Sequence, residues 1–201
     1  MLHFDAVPVA LADLLKHLIS LDALQDFALG GGTSLALRFG HRWSVDLDFF
    51  TTREFDPEVL FEDLELDHAT VTGRARNTLT LDAGGVKLDL LRHAYPVIQP
   101  VEVIDGVRLI SLPDIAAMKL NALANRGSKK DFYDLAELLE HHTLPQMLDF
   151  FSRKYRSSDP FTVIRSLAWF EDAELEPAPV ALNGRDWAGV KNTARKAVGG
   201  L

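Results

Sequence analysis

Between positions 9 and 24 apolar residues recur at steps of three and four, at Leu11, Leu14, Leu15, Leu18 and Leu21. That spacing is one face of an amphipathic helix. A short apolar run at 27–29 ends in Gly30-Gly31-Gly32, and 33–38 then returns to helical composition. The period changes next. From 45 to 50 apolar and acidic residues alternate, which predicts a strand with two unlike faces. Asp56-Pro57 marks a turn and a helix start, with Val59, Leu60 and Leu64 on one side. The Thr- and Val-rich segment 69–82 and the apolar run 86–91 flank Gly84-Gly85 and predict a hairpin. A second strand pair is expected over 101–110, around Asp105-Gly106.

Past Ser111 the strand signals stop. Ser111-Leu112-Pro113-Asp114 is a helix-start signal, with Ser111 as cap and Pro113 in the first turn. Helices are expected over 115–125, 130–141, 144–155 and 161–170. A stretch with Pro177 and Pro179 precedes a final basic-rich segment at 188–198. The pattern divides the chain into an α/β front half, residues 1–110, and a helical back half, residues 111–201.

Composition narrows the chemistry. The chain has no cysteine, which excludes disulfide scaffolds, cysteine nucleophiles and thiolate metal sites. Its net charge of −8 argues against a surface that coats nucleic-acid phosphates broadly, yet leaves room for a local basic track or for binding through metal ions. No apolar run approaches the roughly 20 residues of a bilayer span. The N-terminus carries Asp5 and Asp13 without a basic lead-in, unlike a signal peptide. A cytoplasmic protein without a membrane partner is expected.

The informative segment is 27–50, FALGGGTSLALRFGHRWSVDLDFF. On a strand, Asp46 and Asp48 project to the same side and Leu47 to the other. Adjacent carboxylates repel unless a cation lies between them, and a divalent metal can be that cation. Alone, Asp-x-Asp is common and is better read as a solvated polar face. Upstream, Gly31-Gly32-Thr33-Ser34 offers close backbone approach, amides at a helix start and two hydroxyls, suited to phosphate. No Gly-Lys-Ser/Thr follows, so it is not a Walker loop. A third carboxylate, Asp89, sits in an apolar strand segment, Val86-Lys87-Leu88-Asp89-Leu90-Leu91. If that strand lies beside the Asp46/Asp48 strand, three carboxylates converge, an arrangement that suits metal-assisted phosphoryl chemistry.

The strings G-G-T-S-L-A-L-R and R-x-S-x-D-L-D-F-F resemble the AbiEii/AbiGii-type nucleotidyltransferases of toxin–antitoxin and phage-defence systems, within the polymerase-β-like nucleotidyltransferase superfamily. The spacer 33–45 between Gly31-Gly32 and Asp46 matches the family spacing, and Asp89 stands where its third carboxylate stands. In the back half, 111–120 (SLPDIAAMKL) resembles the segment that supplies a lysine, Lys119. Lys129-Lys130-Asp131-Phe132-Tyr133-Asp134-Leu135 resembles the family's K-D-x-x-D-L motif. The resemblance implies a mixed sheet flanked by helices, with residues 111–201 completing the cleft. It implies Asp46, Asp48 and Asp89 as ligands of Mg²⁺ or Mn²⁺ and, with Lys119 and Asp131, as the catalytic set; Asp134 is second choice to Asp131. Gly31, Gly32, Thr33, Ser34, Arg42, Ser44 and Lys119 would bind the nucleotide. An NTP is then the donor, with an RNA 3′ end, in particular tRNA, as acceptor and a cognate antitoxin as partner. Two alternatives stay open: transfer to a protein, and a nucleotide-binding module without catalysis.

Overall fold

A computed structural model describes residues 1–156 and 158–201 of the chain, which falls into two compact units. The first comprises Met1–Arg38, Ser44–Tyr95 and Val101–Ile110. Its helices are α1 (Val9–Ser20), α2 (Gly31–Phe39) and α3 (Pro57–Asp63). Its strands are β1 (Ala28–Leu29), β2 (Asp46–Thr51), β3 (Ala69–Ala75), β4 (Thr78–Ala83), β5 (Val86–Arg92), β6 (Glu102–Ile104) and β7 (Val107–Leu109). They form one mixed sheet in the order β3-β4-β5-β2-β1-β7-β6. The β2/β5 and β1/β7 pairs are parallel and the remaining pairs antiparallel.

Strand alternation sets the two faces of this sheet. Leu47 and Phe49 of β2, Leu88 and Leu90 of β5, and Leu79 and Leu81 of β4 join Leu11, Leu15 and Leu18 of α1 in one buried cluster, which Leu60 and Leu64 extend. Full burial of each such side chain contributes about 1.5–3 kcal/mol. A one-residue slip of β2 would exchange Leu47 and Phe49 for Asp46 and Asp48 in that core, so the register is held by the cost of burying carboxylates.

One expectation needs correction. The segment 69–82 is two strands rather than one, because the chain reverses at Arg76-Asn77. Asn77 takes a left-handed φ of 55°, a conformation that Asn tolerates better than most residues, and its Oδ1 accepts a hydrogen bond from Phe55 N at 2.8 Å. The expected hairpin is therefore a three-stranded meander.

The second unit comprises Phe39–Trp43, Pro96–Pro100 and Ser111–Leu201. Its helices are α4 (Leu112–Asn125), α5 (Lys129–Leu138), α6 (Leu144–Lys154), α7 (Pro160–Leu167), α8 (Glu171–Glu174) and α9 (Trp187–Gly199). α4 packs against α5, α6 and α7, and α5 against α9. Ser111 caps α4 through Asp114 N, as expected from the sequence, and Thr143 with Gln146 forms a capping box at α6. The helix expected over 161–170 ends at Leu167, and the short α8 follows it.

The two short segments of this unit are tied to its helices. Ile98 N and Gln99 N donate to the Asp114 carboxylate, which also receives Lys154 Nζ at 2.6 Å. Burial works against that negative charge, but Lys154, Ser111 and the two amides hold the Asp114 carboxyl below its ordinary range. No helix among the described residues is long and apolar enough to cross a membrane.

Candidate active site

The face of β2 and β5 turned away from the leucine core carries the charged residues. In the parallel register Asp48 lies opposite Asp89, and Asp46 opposite Lys87. The strand bearing Asp89 is therefore the neighbour of the strand bearing Asp46 and Asp48, the juxtaposition that three converging carboxylates require. Lys87 Nζ donates to Asp89 Oδ2 at 2.6 Å. That hydrogen bond, opposed by burial and aided by the charges of Asp89, Asp48 and Asp46, pushes the Lys87 ammonium above its usual range. Sequence reasoning did not single out Lys87, although its place two positions before Asp89 on a predicted strand puts both on one face.

The glycine turn backs directly onto these carboxylates. Gly30 N donates to the Asp48 carbonyl at 2.8 Å. Gly31 opens α2 with a φ of +62°, and a Cβ there would lie 2.1 Å from Asp48 Oδ2. A Cβ on Gly30 would meet the Phe50 ring at 2.7 Å. Gly30 and Gly31 thus both lie close against β2. The hydroxyls of the same turn divide in role. Thr33 Oγ1 gives its proton to the carbonyl of Asp46, so Ser44 Oγ, 2.8 Å away, donates to Thr33. Thr33 and Ser44 therefore fix the start of β2, from which Asp46 projects. Ser34 Oγ is buried and has no hydrogen-bond partner among the described residues.

These features bear on a metal. Asp46, Asp48 and Asp89 are hard oxygen donors on one sheet face, and an unpartnered buried hydroxyl lies in the turn that backs it. Among the described residues, however, no three acidic or histidine side chains are gathered into a ready metal cage. Mg²⁺ does not require one: it is commonly held by one or two carboxylates with waters and substrate phosphates. The residues fit a metal that arrives with a nucleotide.

The other expected residues belong to the second unit and bond to one another. Lys119, 5% exposed, places Nζ 2.8 Å from Asp131 Oδ1 and 2.7 Å from Asp134 Oδ2. Arg42 grips Asp134 with Nε and Nη2 at 2.7 and 2.9 Å, and His41 Nε2 lies 2.8 Å from the same carboxylate. Arg126 takes both oxygens of Asp131, at 2.7 and 3.0 Å. Burial alone would raise both carboxyls. At Asp134 the charges of Arg42 and Lys119 reverse it and hold the group well below the ordinary range. At Asp131, Lys119 and Arg126 likewise outweigh burial and hold the carboxyl below the ordinary range. Lys119 loses by burial and gains more from Asp134 and Asp131, so its ammonium is held above the ordinary range. Asp134, second to Asp131 in the sequence reading, thus receives three basic side chains. Two basic residues beside Asp131 are likewise engaged: Arg126 serves Asp131 itself, and Lys129 donates to the Glu174 carbonyl.

Residues 13–197 match the family described as nucleotidyl transferase AbiEii toxin, type IV TA system. The chain belongs to the AbiEii family. It is a nucleotidyltransferase, and the fold agrees. Over 171 residues, 82% of this chain and 83% of the other, it is 37% identical to an uncharacterized protein of Aquifex aeolicus (strain VF5). JHP933 from Helicobacter pylori shares the fold with a TM-score of 0.58 and 21% identity, over 95% of this chain and 90% of that one. MenT4, a nucleotidyltransferase toxin from Mycobacterium tuberculosis H37Rv, does so with a TM-score of 0.62 and 18% identity, over 94% and 82%. Membership of the AbiEii family implies a nucleotide substrate and places the chain among the toxins of toxin–antitoxin systems.

Proposed function

We propose that this AbiEii family member transfers a nucleotide from an NTP to the 3′ hydroxyl of an RNA, with tRNA the leading acceptor, and acts as a toxin in a toxin–antitoxin or phage-defence setting. The observation that carries the reading is the register of β2 against β5, which sets Asp48 opposite Asp89 on the face that Asp46 shares. In the reaction the acceptor oxygen attacks the α-phosphorus of the NTP. A new P–O bond forms, the bond to the bridging oxygen of pyrophosphate breaks, and the hydroxyl proton passes to a carboxylate. Such chemistry relies on positioning and charge neutralisation rather than on a nucleophilic side chain.

Asp46 and Asp48 would hold Mg²⁺ or Mn²⁺, which when bound would neutralise triphosphate oxygens and acidify the acceptor hydroxyl. Asp89 takes the hydroxyl proton. Lys87 offsets the three carboxylates before substrate arrives and offers its ammonium to a phosphate oxygen afterwards. The Gly30–Gly31 turn lets the substrate backbone and phosphates come close, and the Ser34 hydroxyl is placed to serve an oxygen of the nucleotide. Thr33 and Ser44 act at one remove, by fixing Asp46. No step is routed through Lys119 or Asp131, whose charges are matched within the second unit.

The test is to incubate the purified chain and Mg²⁺ with each common NTP, labelled at the α-phosphate, and with mixed tRNA and cell protein. Label in RNA with wild type, and none with a folded Asp48→Ala variant, is the expected result. Label in protein instead would replace the RNA acceptor by a protein one. Full activity in folded Asp48→Ala would remove the metal assignment.

A further inference from the structure

A cavity lies wholly within the helical unit. It holds about 340 Å³ and is lined by the end of α4, the turn that follows it, and one side of α7. Thr162, Arg165 and Ser166 fall three and four residues apart on α7, and Trp169 follows at the next turn, so all four line one side. Val163 and Leu167, on the other side, are buried. Packing of this region is thus served without the indole of Trp169, which is 55% exposed. The Arg165 side chain has no hydrogen bond or ion pair with any described residue. Arg126, also lining the cavity, has its guanidinium plane fixed by the two bonds to Asp131. Asp172 adds a carboxylate to the wall.

Each group matches a part of one ligand class. An exposed indole face stacks a planar base, and an unpartnered guanidinium takes a phosphate. Two hydroxyls and a carboxylate accept from ribose hydroxyls or an exocyclic amine. The volume is near the lower end of ligand pockets, enough for one nucleotide unit and too small for a duplex. An acidic peptide would satisfy the arginines but would face repulsion from Asp172 and leave the indole without a stacking partner. We infer that this cavity binds one nucleotide of single-stranded RNA, with the base on Trp169 and its phosphate on Arg165. The inference takes from the proposed function only the choice of RNA, and needs neither metal nor group transfer.

It can therefore be tested in EDTA, where transfer is silent, using the full chain and a fluorescein-labelled single-stranded RNA hexamer read by fluorescence anisotropy. Trp169→Ala should weaken binding about tenfold, and Trp169→Phe, which keeps a stacking face, should recover most of that loss. Arg165→Gln should weaken binding at low salt and reduce the slope of log affinity against log salt by about one phosphate contact. The side chains are exposed, and circular dichroism checks that each variant is folded. Wild-type affinity in both Trp169→Ala and Arg165→Gln would overturn the inference, as would equal displacement of the hexamer by a glutamate-rich peptide. A mononucleotide that competes as well as the hexamer would overturn the choice of a polynucleotide. The two proposals fail separately: loss of transfer in Asp48→Ala with normal hexamer binding by Trp169→Ala refutes only this one. Transfer surviving in Asp48→Ala with weakened binding by Trp169→Ala refutes only the other.

Discussion

Gly31 and Gly84 form a natural pair for testing whether the glycine turn shapes the acid site. Both hold left-handed φ angles, +62° and +63°. An alanine in that conformation costs about 1–2 kcal/mol at either position. They differ in what the added methyl meets. At Gly84, in the β4–β5 turn, nothing lies within 4 Å. At Gly31 the new Cβ would sit 2.1 Å from Asp48 Oδ2 and 2.9 Å from its Cγ. Ordinary contact requires a displacement of more than about 1 Å, and β2 cannot supply it because Leu47 and Phe49 anchor it in the core. The Asp48 carboxylate must swing away. A catalytic group misplaced by about 1 Å costs on the order of a hundredfold in rate, about 2.7 kcal/mol of barrier. Urea unfolding should show Gly84→Ala destabilised by the backbone strain alone and Gly31→Ala by at least as much. Label transfer should be near wild type in Gly84→Ala and down about a hundredfold in Gly31→Ala. If folded Gly31→Ala transfers label within about threefold of Gly84→Ala, the turn does not shape the site and the reasoning is wrong.

Two further outcomes follow from the buried charges of the second unit. Asp134→Asn leaves Arg42 without its counter-charge and Lys119 with Asp131 alone, and removing one partner from a buried ion cluster costs about 3–5 kcal/mol; urea denaturation followed by tryptophan fluorescence should show that loss, and a change under about 1 kcal/mol would mean the cluster is already hydrated. Folded Asp131 and Asp134 lie below their ordinary carboxyl range, so the stability they contribute is complete above the unfolded value of about 3.9 and is lost as pH falls through their lower folded values. Acid unfolding should therefore steepen below about pH 4, and Asp134→Asn should flatten that slope; an unchanged slope would exclude Asp134 as a source of acid lability.

The acid strand was legible because its period is short. Alternation over 45–50 requires only neighbouring residues to declare the two faces, and it placed Asp46 with Asp48 and Leu47 with Phe49. The pairing of Asp48 with Asp89 was not legible, since nothing local to either strand names its neighbour in the sheet. Asn77 was missed for a different reason: the chain turns there without glycine or proline, on a left-handed asparagine that accepts from Phe55. Arg42 shows the limit most clearly. Its motif marked it for attention, but the bidentate partner, Asp134, lies 92 positions away. A charged residue announces its charge in the sequence and its counter-ion only in the fold.

The chain enters the second unit twice before its final stretch begins, at Phe39–Trp43 and at Pro96–Pro100. A gene cut after Ile110 would keep every carboxylate of the acid site, yet its product would carry Arg42 without Asp134 and Ile98 without Asp114. Those orphaned segments sit immediately before Ser44 and immediately after Tyr95 in the chain. A stop codon anywhere from 111 to 134 therefore takes from an early segment a partner that it needs. Selection against a toxin's activity should yield truncations in that stretch, although it lies beyond every carboxylate of the acid site.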